Sequence, residues 1–382
     1  MTPEPAAPHD ARTAGVSSWI ARERVAPGAA PRWWVGALAG LAVLTFAALA
    51  ALATTPAERV AAEETYGATD GFLQALQAFS EPSQARLWSA VSGAVLVAAT
   101  GIATRRLLHH DLAALFAAAL VAIDPAALVH GRLVTPVAPS SAAAMLALAF
   151  FLAPDGPRHW WASGLFAFAA FLDPSHMLWA LPLATILLVR GHIYAAPQHA
   201  MTVGLQAVIV PGVGALLGIT GASSLTDGCF QPGRLDGLLV RHAIDLGGLH
   251  AAPNPVTWFA GMGALAYLAL LAATNILSTF RIQRLPGRIQ ARLPDPMPRM
   301  HGRALWIALL ALFAPTPLLW VPLFAIALAA GVQELGRDAA AFGIVVAVAL
   351  LVFAAVATGQ AWDLIMGQDT TATLPWTRVS SC

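Results

Sequence analysis

From Trp33 to Thr54 the chain reads WWVGALAGLAVLTFAALAALAT, with no charged side chain. Backbone N–H and C=O groups find no water partners in hydrocarbon, so a run of this length must close its own hydrogen bonds as a helix. Trp33 and Trp34 mark its interfacial edge. Ten further apolar segments follow, at about Leu87–Ala103, Leu112–Ile123, Ala142–Leu152, Trp161–Phe171, Met177–Val189, Met201–Ile219, Trp258–Thr274, Ala304–Phe313, Pro317–Ala330 and Ala339–Ala357. With 58% hydrophobic and 11% charged residues, the chain is expected to be an all-α polytopic integral membrane protein of about eleven transmembrane helices, within the range 9 to 12. Several segments fall short of the roughly 20 residues of an upright crossing, so their flanks extend them or they are re-entrant. The segments around Pro315, Pro317 and Pro322 also read as one broken helix.

Residues 1–32 read as a disordered cytoplasmic tail, residues 33–358 as the transmembrane domain with outer-face loops 55–86 and 221–255, and residues 359–382 as a C-terminal tail. The first apolar run lies too far from the start, and is too long, for a cleaved signal peptide, and is expected to be a retained span. With a cytoplasmic N-terminus, 15 of the 21 basic residues, all of them arginine, fall on inside segments, including Arg105, Arg106, Arg158, Arg190 and the cluster from Arg281 to Arg303. Twelve of the 20 acidic residues fall outside. The arginine cluster is then a topology anchor. The alanine-rich, lysine-free composition fits a bacterial chain of the cytoplasmic membrane, with membrane lipids as its first partners. Nothing basic and aromatic is interleaved as nucleic-acid binding requires. Two cysteines, Cys229 and Cys382, are too few for a disulfide framework or a cysteine metal cluster.

Acidic residues gather next to apolar segments. The loop AAEETYGATDG carries Glu63, Glu64 and Asp70 directly after the first span. Asp70 reads as the cap of a short amphipathic helix with Phe72, Leu73, Leu76 and Phe79 on one face. Asp124 and Asp173 each close an apolar segment and each precede a proline, in IDPAALVHGR and LDPSHM. Asp-Pro is ordinary helix-stop and turn chemistry. Read functionally, the two acids join Glu63 and Glu64, with His130, Arg132, His176 and His250, around an outer-face cavity. A carboxylate there is suited to deprotonating a hydroxyl acceptor, and an arginine to holding a phosphate leaving group. His130 and His176 read as interfacial polar groups, not metal ligands, so no metal site and no divalent cofactor is assigned. Trp88, Trp258 and Trp306 read as interface anchors.

Two stretches carry a family resemblance. ARLWSAVSGAVLVAATGIATRRLLHHDLAALFAAALVAIDPAALVHGRLVTPVAPSSAAAMLALAFFL, residues 85–152, and GLFAFAAFLDPSHMLWALPLATILLVRG, residues 164–191, resemble the protein mannosyltransferase type of GT-C-fold membrane glycosyltransferases. That resemblance implies a GT-C-like helical arrangement and an acidic pair after the first span, whose place is taken by Glu63 and Glu64 with Tyr66 close behind. It also matches Asp124, Pro125 and Arg132 to an Asp-Pro that precedes an arginine. It implies Glu63 and Glu64 as catalytic residues, and Tyr66, Asp124, Arg132, Asp173 and His176 as substrate-binding ones. The donor would be a polyprenyl-phosphate sugar, and the acceptor a secreted protein or an envelope glycan or lipid.

The sequence departs from that pattern in four places. Glu63 stands for the usual Asp, SEPSQARL replaces a His-Pro-Pro-Leu type motif, Val137 replaces an acid, and no sizeable soluble domain follows the last span. These departures frame the alternative, a catalytically inactive accessory subunit packed against other membrane protein subunits. A transporter relaying ions through Asp124 and Asp173 would need mid-membrane acids and an inverted repeat, and the sequence offers neither.

Overall fold

The computed structural model describes residues 33–54, 82–134, 137–153, 159–172, 174–189, 195–216, 254, 256–270, 273, 307–314, 317–336 and 340–360. Regular structure among them is entirely helical: α1 Trp33–Thr54, α2 Pro82–Leu108, α3 Asp111–Ala122, α4 Pro125–Arg132, α5 Val137–Phe151, α6 His159–Leu172, a 3-10 turn Pro174–Trp179, α7 Ala180–Val189 and α8 Ala195–Leu216. A π turn, Val256–Ala260, opens α9, Thr257–Leu270, and a short helical stretch at residues 307–312, α10 Pro317–Leu335 and α11 Ala340–Gln360 follow. Four of these segments, Trp33–Leu52, Arg86–Leu108, Leu318–Leu335 and Ala340–Gln360, are long and apolar enough to cross a membrane, or five if the bent α3–α4 pair is one span. The chain is a multi-pass membrane protein.

Two helices organise the rest. α2 packs against α1, α3, α4, α5 and α10, and α10 against α2, α3, α4, α5, α11 and the π turn. Burial separates centre from rim: 78% of the α10 span is inside the protein, against 17% for α1 and for α11. The rim helices expose Val43, Leu44, Val345, Val352 and Phe353, the pattern of side chains that face lipid. Small residues allow the close approaches. Leu38 lies over Gly101 and Leu49 over both Gly93 and Gly131, so α1 runs antiparallel to α2 and contacts the last turn of α4.

Cross-links assign each helix terminus to one of two ends. At the first end, Arg105 pairs with Asp111 and lies over the Trp34 ring, and Arg106 donates to the Ala149 carbonyl at the close of α5. Phe151 meets the rings of His159 and His199 there, at centroid distances of 6.4 Å and 5.0 Å. At the second end, Trp258 meets Trp320 edge-on at 5.4 Å, Trp179 Nε1 donates to the Leu310 carbonyl at 3.0 Å, and Thr358 Oγ1 donates to the Ile123 carbonyl. The second end therefore gathers the close of α1, the opening of α2, the α3–α4 corner, the openings of α9 and α10 and the close of α11.

One expectation is corrected here and two are given their detail. Asp124 both follows the close of α3 and caps α4: the chain continues after a 61° bend, because Pro125 opens a new helix at the position where its missing N–H costs nothing. Trp258 is no interface anchor, being 4% exposed and held between Trp320 and Phe324, whereas Trp88 is exposed. Of the three prolines in the proline-rich segments, Pro317 opens α10 and Pro322 lies inside it. Trp306 and both cysteines lie outside the described residues.

The tightest helix crossing gives a test. A β-carbon at Gly261 would stand 2.4 Å from Phe324 Cβ and 3.3 Å from its Cα, so the α9 and α10 backbones would have to separate. At Gly93 it would meet a Leu49 methyl at 2.6 Å, which a rotamer change relieves. Gly261→Ala is expected to lose about 1–3 kcal/mol and Gly93→Ala less than about 1 kcal/mol, measured by thermal unfolding in detergent micelles.

Candidate functional site

The α3–α4 corner is built by one side chain. α3 has only 12 residues, about 18 Å of rise, so a helix that starts at the Arg105–Asp111 pair reaches the corner inside a hydrocarbon layer roughly 30 Å thick. A chain that turns at this depth must satisfy every backbone group internally. It does so in sequence: Ile123 N donates to Ala119 O at 3.2 Å, Asp124 N to Val121 O at 3.2 Å, Leu128 N to Asp124 O at 3.0 Å, and Ala126 N to Asp124 Oδ1 at 2.9 Å. Pro125 brings no donor to be satisfied. Thr358, from the far end of the chain, occupies the Ile123 carbonyl.

The corner leaves polar capacity over. Asp124 is 0% exposed, and its Oδ2 has no hydrogen-bond partner among the described residues. The Thr257 hydroxyl stands beside that carboxylate. It is buried as well, within hydrogen-bonding reach of the carboxylate. On α4, His130 is buried with both ring nitrogens unpartnered among the described residues, and Arg132 is buried in the same last turn. The Arg132 guanidinium belongs to the turn that carries the negative end of the α4 dipole. Charge and hydrogen-bonding groups so deep in an apolar bundle make this corner the candidate site.

The structure brings together part of the expected set. Asp124, His130 and Arg132 share the corner and the helix it opens. His176 is buried on the 3-10 turn, which packs on α6 and α7, whereas α4 packs on α1, α2, α3, α5 and α10. Glu63, Glu64, Tyr66, Asp70, Asp173 and His250 lie outside the described residues; the stretch holding Glu63, Glu64 and Tyr66 joins α1 to α2, whose facing termini are at the corner end. Val137 is buried at the opening of α5.

Sequence reading missed Asn254 and Thr257. Asn254 Oδ1 accepts from Thr257 N at 3.3 Å, a capping contact that starts the π turn. The signal was legible as an asparagine three residues ahead of an apolar run, in NPVT. π turns are rare and recur at functional sites. Nothing local tells that this one lies against residue 124.

With that geometry described, comparison with known proteins adds one finding. The family model for dolichyl-phosphate-mannose-protein mannosyltransferase matches residues 74–171, from ahead of α2 almost to the close of α6, including Asp124, His130 and Arg132. No curated protein and no solved structure matches the chain. The match bears out the resemblance drawn from the sequence and supports a membrane glycosyltransferase of the GT-C type.

Asp124 holds a structural bond and carries a charge, and two substitutions separate these. Asparagine caps a helix as well as aspartate does. Asp124→Asn is expected to unfold within about 0.5 kcal/mol of the parent, and Asp124→Ala to lose about 0.5–2 kcal/mol, by thermal unfolding in micelles. A loss of activity in Asp124→Asn then reports chemistry and not folding.

Proposed function

We propose that this chain transfers a sugar from a polyprenyl-phosphate carrier to an acceptor hydroxyl at the corner end of the bundle. One observation carries the reading: the segment that matches the mannosyltransferase family also contains the buried Asp124, His130 and Arg132 that the bend collects at membrane depth. A polyprenyl tail belongs among the helices, and its phosphosugar head at this level.

In the proposed step the acceptor oxygen attacks the anomeric carbon, a new C–O bond forms, and the bond from that carbon to the phosphate oxygen breaks. The acceptor proton passes to the Glu63–Glu64 pair, and the electron pair leaves with the polyprenyl phosphate. Arg132 stabilises the charge that develops on the phosphate, and a guanidinium in a site shielded from water does this more strongly than one in solvent. Asp124 orients the sugar head group. Membrane lipid is the solvent of the reaction, and no metal enters it.

A second reading, an inactive accessory subunit, is favoured by Val137, which fills a buried position where the resembling family carries an acid. The two readings differ in outcome. In vesicles supplied with polyprenyl-phosphate mannose and an acceptor, the double substitution Glu63→Gln, Glu64→Gln is expected to lower transfer by about 10²–10⁴-fold with unfolding unchanged. Transfer that survives the double substitution refutes the catalytic assignment. A chain that shows no transfer but purifies in stable association with other membrane subunits supports the second reading.

A further inference from the structure

A threonine hydroxyl inside a helix has a ready acceptor, the carbonyl four residues back. Thr45, Thr100, Thr104 and Thr185 take it, donating to the carbonyls of Leu41, Leu96, Thr100 and Leu181 at 2.9, 2.7, 2.7 and 2.8 Å. Thr358 on α11 does so too, to Ala354 O at 2.9 Å, but its hydroxyl also donates to the carbonyl of Ile123, 235 positions away in the chain. A hydroxyl has one proton to give, and this one is shared between α11 and the α3–α4 corner.

The Ile123 carbonyl depends on that donor, because the amides that follow it are committed elsewhere. Pro125 has no N–H, Ala126 N and Ala127 N are on the Asp124 carboxylate, and Leu128 N is on Asp124 O. The same carbonyl lies in the peptide plane that ends at the Asp124 Cα, so whatever fixes the plane fixes where the Asp124 side chain starts. Losing the tie costs the two partners unequally. The Thr358 hydroxyl keeps Ala354 O, whereas the Ile123 carbonyl is left unpaired at membrane depth, and rotation of its peptide plane relieves this at the expense of the Asp124 orientation.

α11 is placed to impose this contact. It is fixed at its opening by the crossing of Gly343 with Gly336, where a β-carbon on Gly343 would stand 2.8 Å from Gly336 Cα. It packs against α3, α10 and the π turn, and small side chains, Ala354 and Ala357, are buried beside Thr358. Apolar packing by small residues is not directional, and the Thr358 bond is.

We infer that Thr358 is a positioning residue: through the Ile123 carbonyl, α11 sets the orientation in which the Asp124 carboxylate meets the sugar head group. This rests on the glycosyl-transfer reading, in which Asp124 orients that group, and adds a residue outside the family-matched segment on which the orientation depends.

The test uses the full chain in lipid nanodiscs with two substitutions, Thr358→Val, which removes the hydroxyl and keeps the shape, and Thr358→Ser, which keeps the hydroxyl. The first readout needs no substrate. With 13C at isoleucine carbonyls and 15N at aspartate amides, solid-state NMR selects the Ile-Asp bonds at 123–124 and 244–245, and Asp124→Asn removes the first and so assigns it. The Ile123 carbonyl resonance is expected to move in Thr358→Val and to keep its place in Thr358→Ser. The second readout is mannose transfer from polyprenyl-phosphate mannose, expressed per folded chain. Thr358→Val is expected to lower kcat about tenfold with the donor KM within about twofold of the parent, and Thr358→Ser to retain both, since misorientation slows the reaction without loosening the carrier. A carbonyl that does not move in Thr358→Val overturns the coupling. A carbonyl that moves while kcat per folded chain stays at the parent value overturns the positioning role and leaves the glycosyl-transfer reading standing. If the unsubstituted chain transfers no sugar, that reading itself falls, and the positioning role with it.

Discussion

A single hydrogen bond, from Ala126 N to Asp124 Oδ1, makes the rest of this architecture admissible. Within hydrocarbon a helix cannot stop and restart unless the freed backbone groups are bonded inside the protein. α3 is too short to cross, so the chain has to turn at depth, and the turn needs an acceptor that side chains of the apolar kind do not have. Asp124 supplies it, Pro125 removes one donor from the requirement, and α4 can then bend by 61° and pack its last turn against α1. The bend displaces His130 and Arg132 from the line of α3 and aims α4 into the space between α2, α5 and α10.

The same residue links stability to chemistry. A carboxylate has two oxygens, and a capping bond consumes one. The other remains buried beside Thr257. An apolar bundle tolerates such a group only where something repays its desolvation, and here the cap fixes the carboxylate in place whether or not a ligand is present. The site is thus pre-organised by folding, which is the condition under which a polar group in a dry environment acts most strongly.

How much of this the sequence disclosed follows from the range of each interaction. Apolar runs without charge determine the helices directly, and the long spans appear where composition alone puts them. Short segments were harder: α5 begins at Val137, several residues before its apolar run, because flanking Ser140 and Ser141 are buried and the Ser140 hydroxyl bonds the Val137 carbonyl. Asp-Pro announced a break, but the signal for ending a helix and the signal for opening one are the same two residues. What followed was decided by the room that Gly93 and Gly131 leave for Leu49. Trp258 shows the opposite limit. A tryptophan at the head of an apolar run reads as an interfacial anchor, and only the arrival of Trp320 and Phe324, more than sixty positions away, makes it core.

The corner also shows why a family match over part of a chain gives an incomplete picture of a site. Residues 74–171 hold the bend, the carboxylate and the arginine, and nothing in that segment closes the corner on its far side. Closure comes from the other half of the molecule: α11 sends Thr358 to the Ile123 carbonyl, the π turn brings Thr257 to Asp124, and α10, the most enclosed span, packs against α3 and α4 and carries the aromatic rings that hold the π turn. These contacts tie helix openings and closings at one end of the bundle, so a shift of α10 or α11 would move the groups facing Asp124 without touching Asp124 itself. A corner divided in this way takes its bend from α3 and α4 and its closure from helices that the family match does not reach.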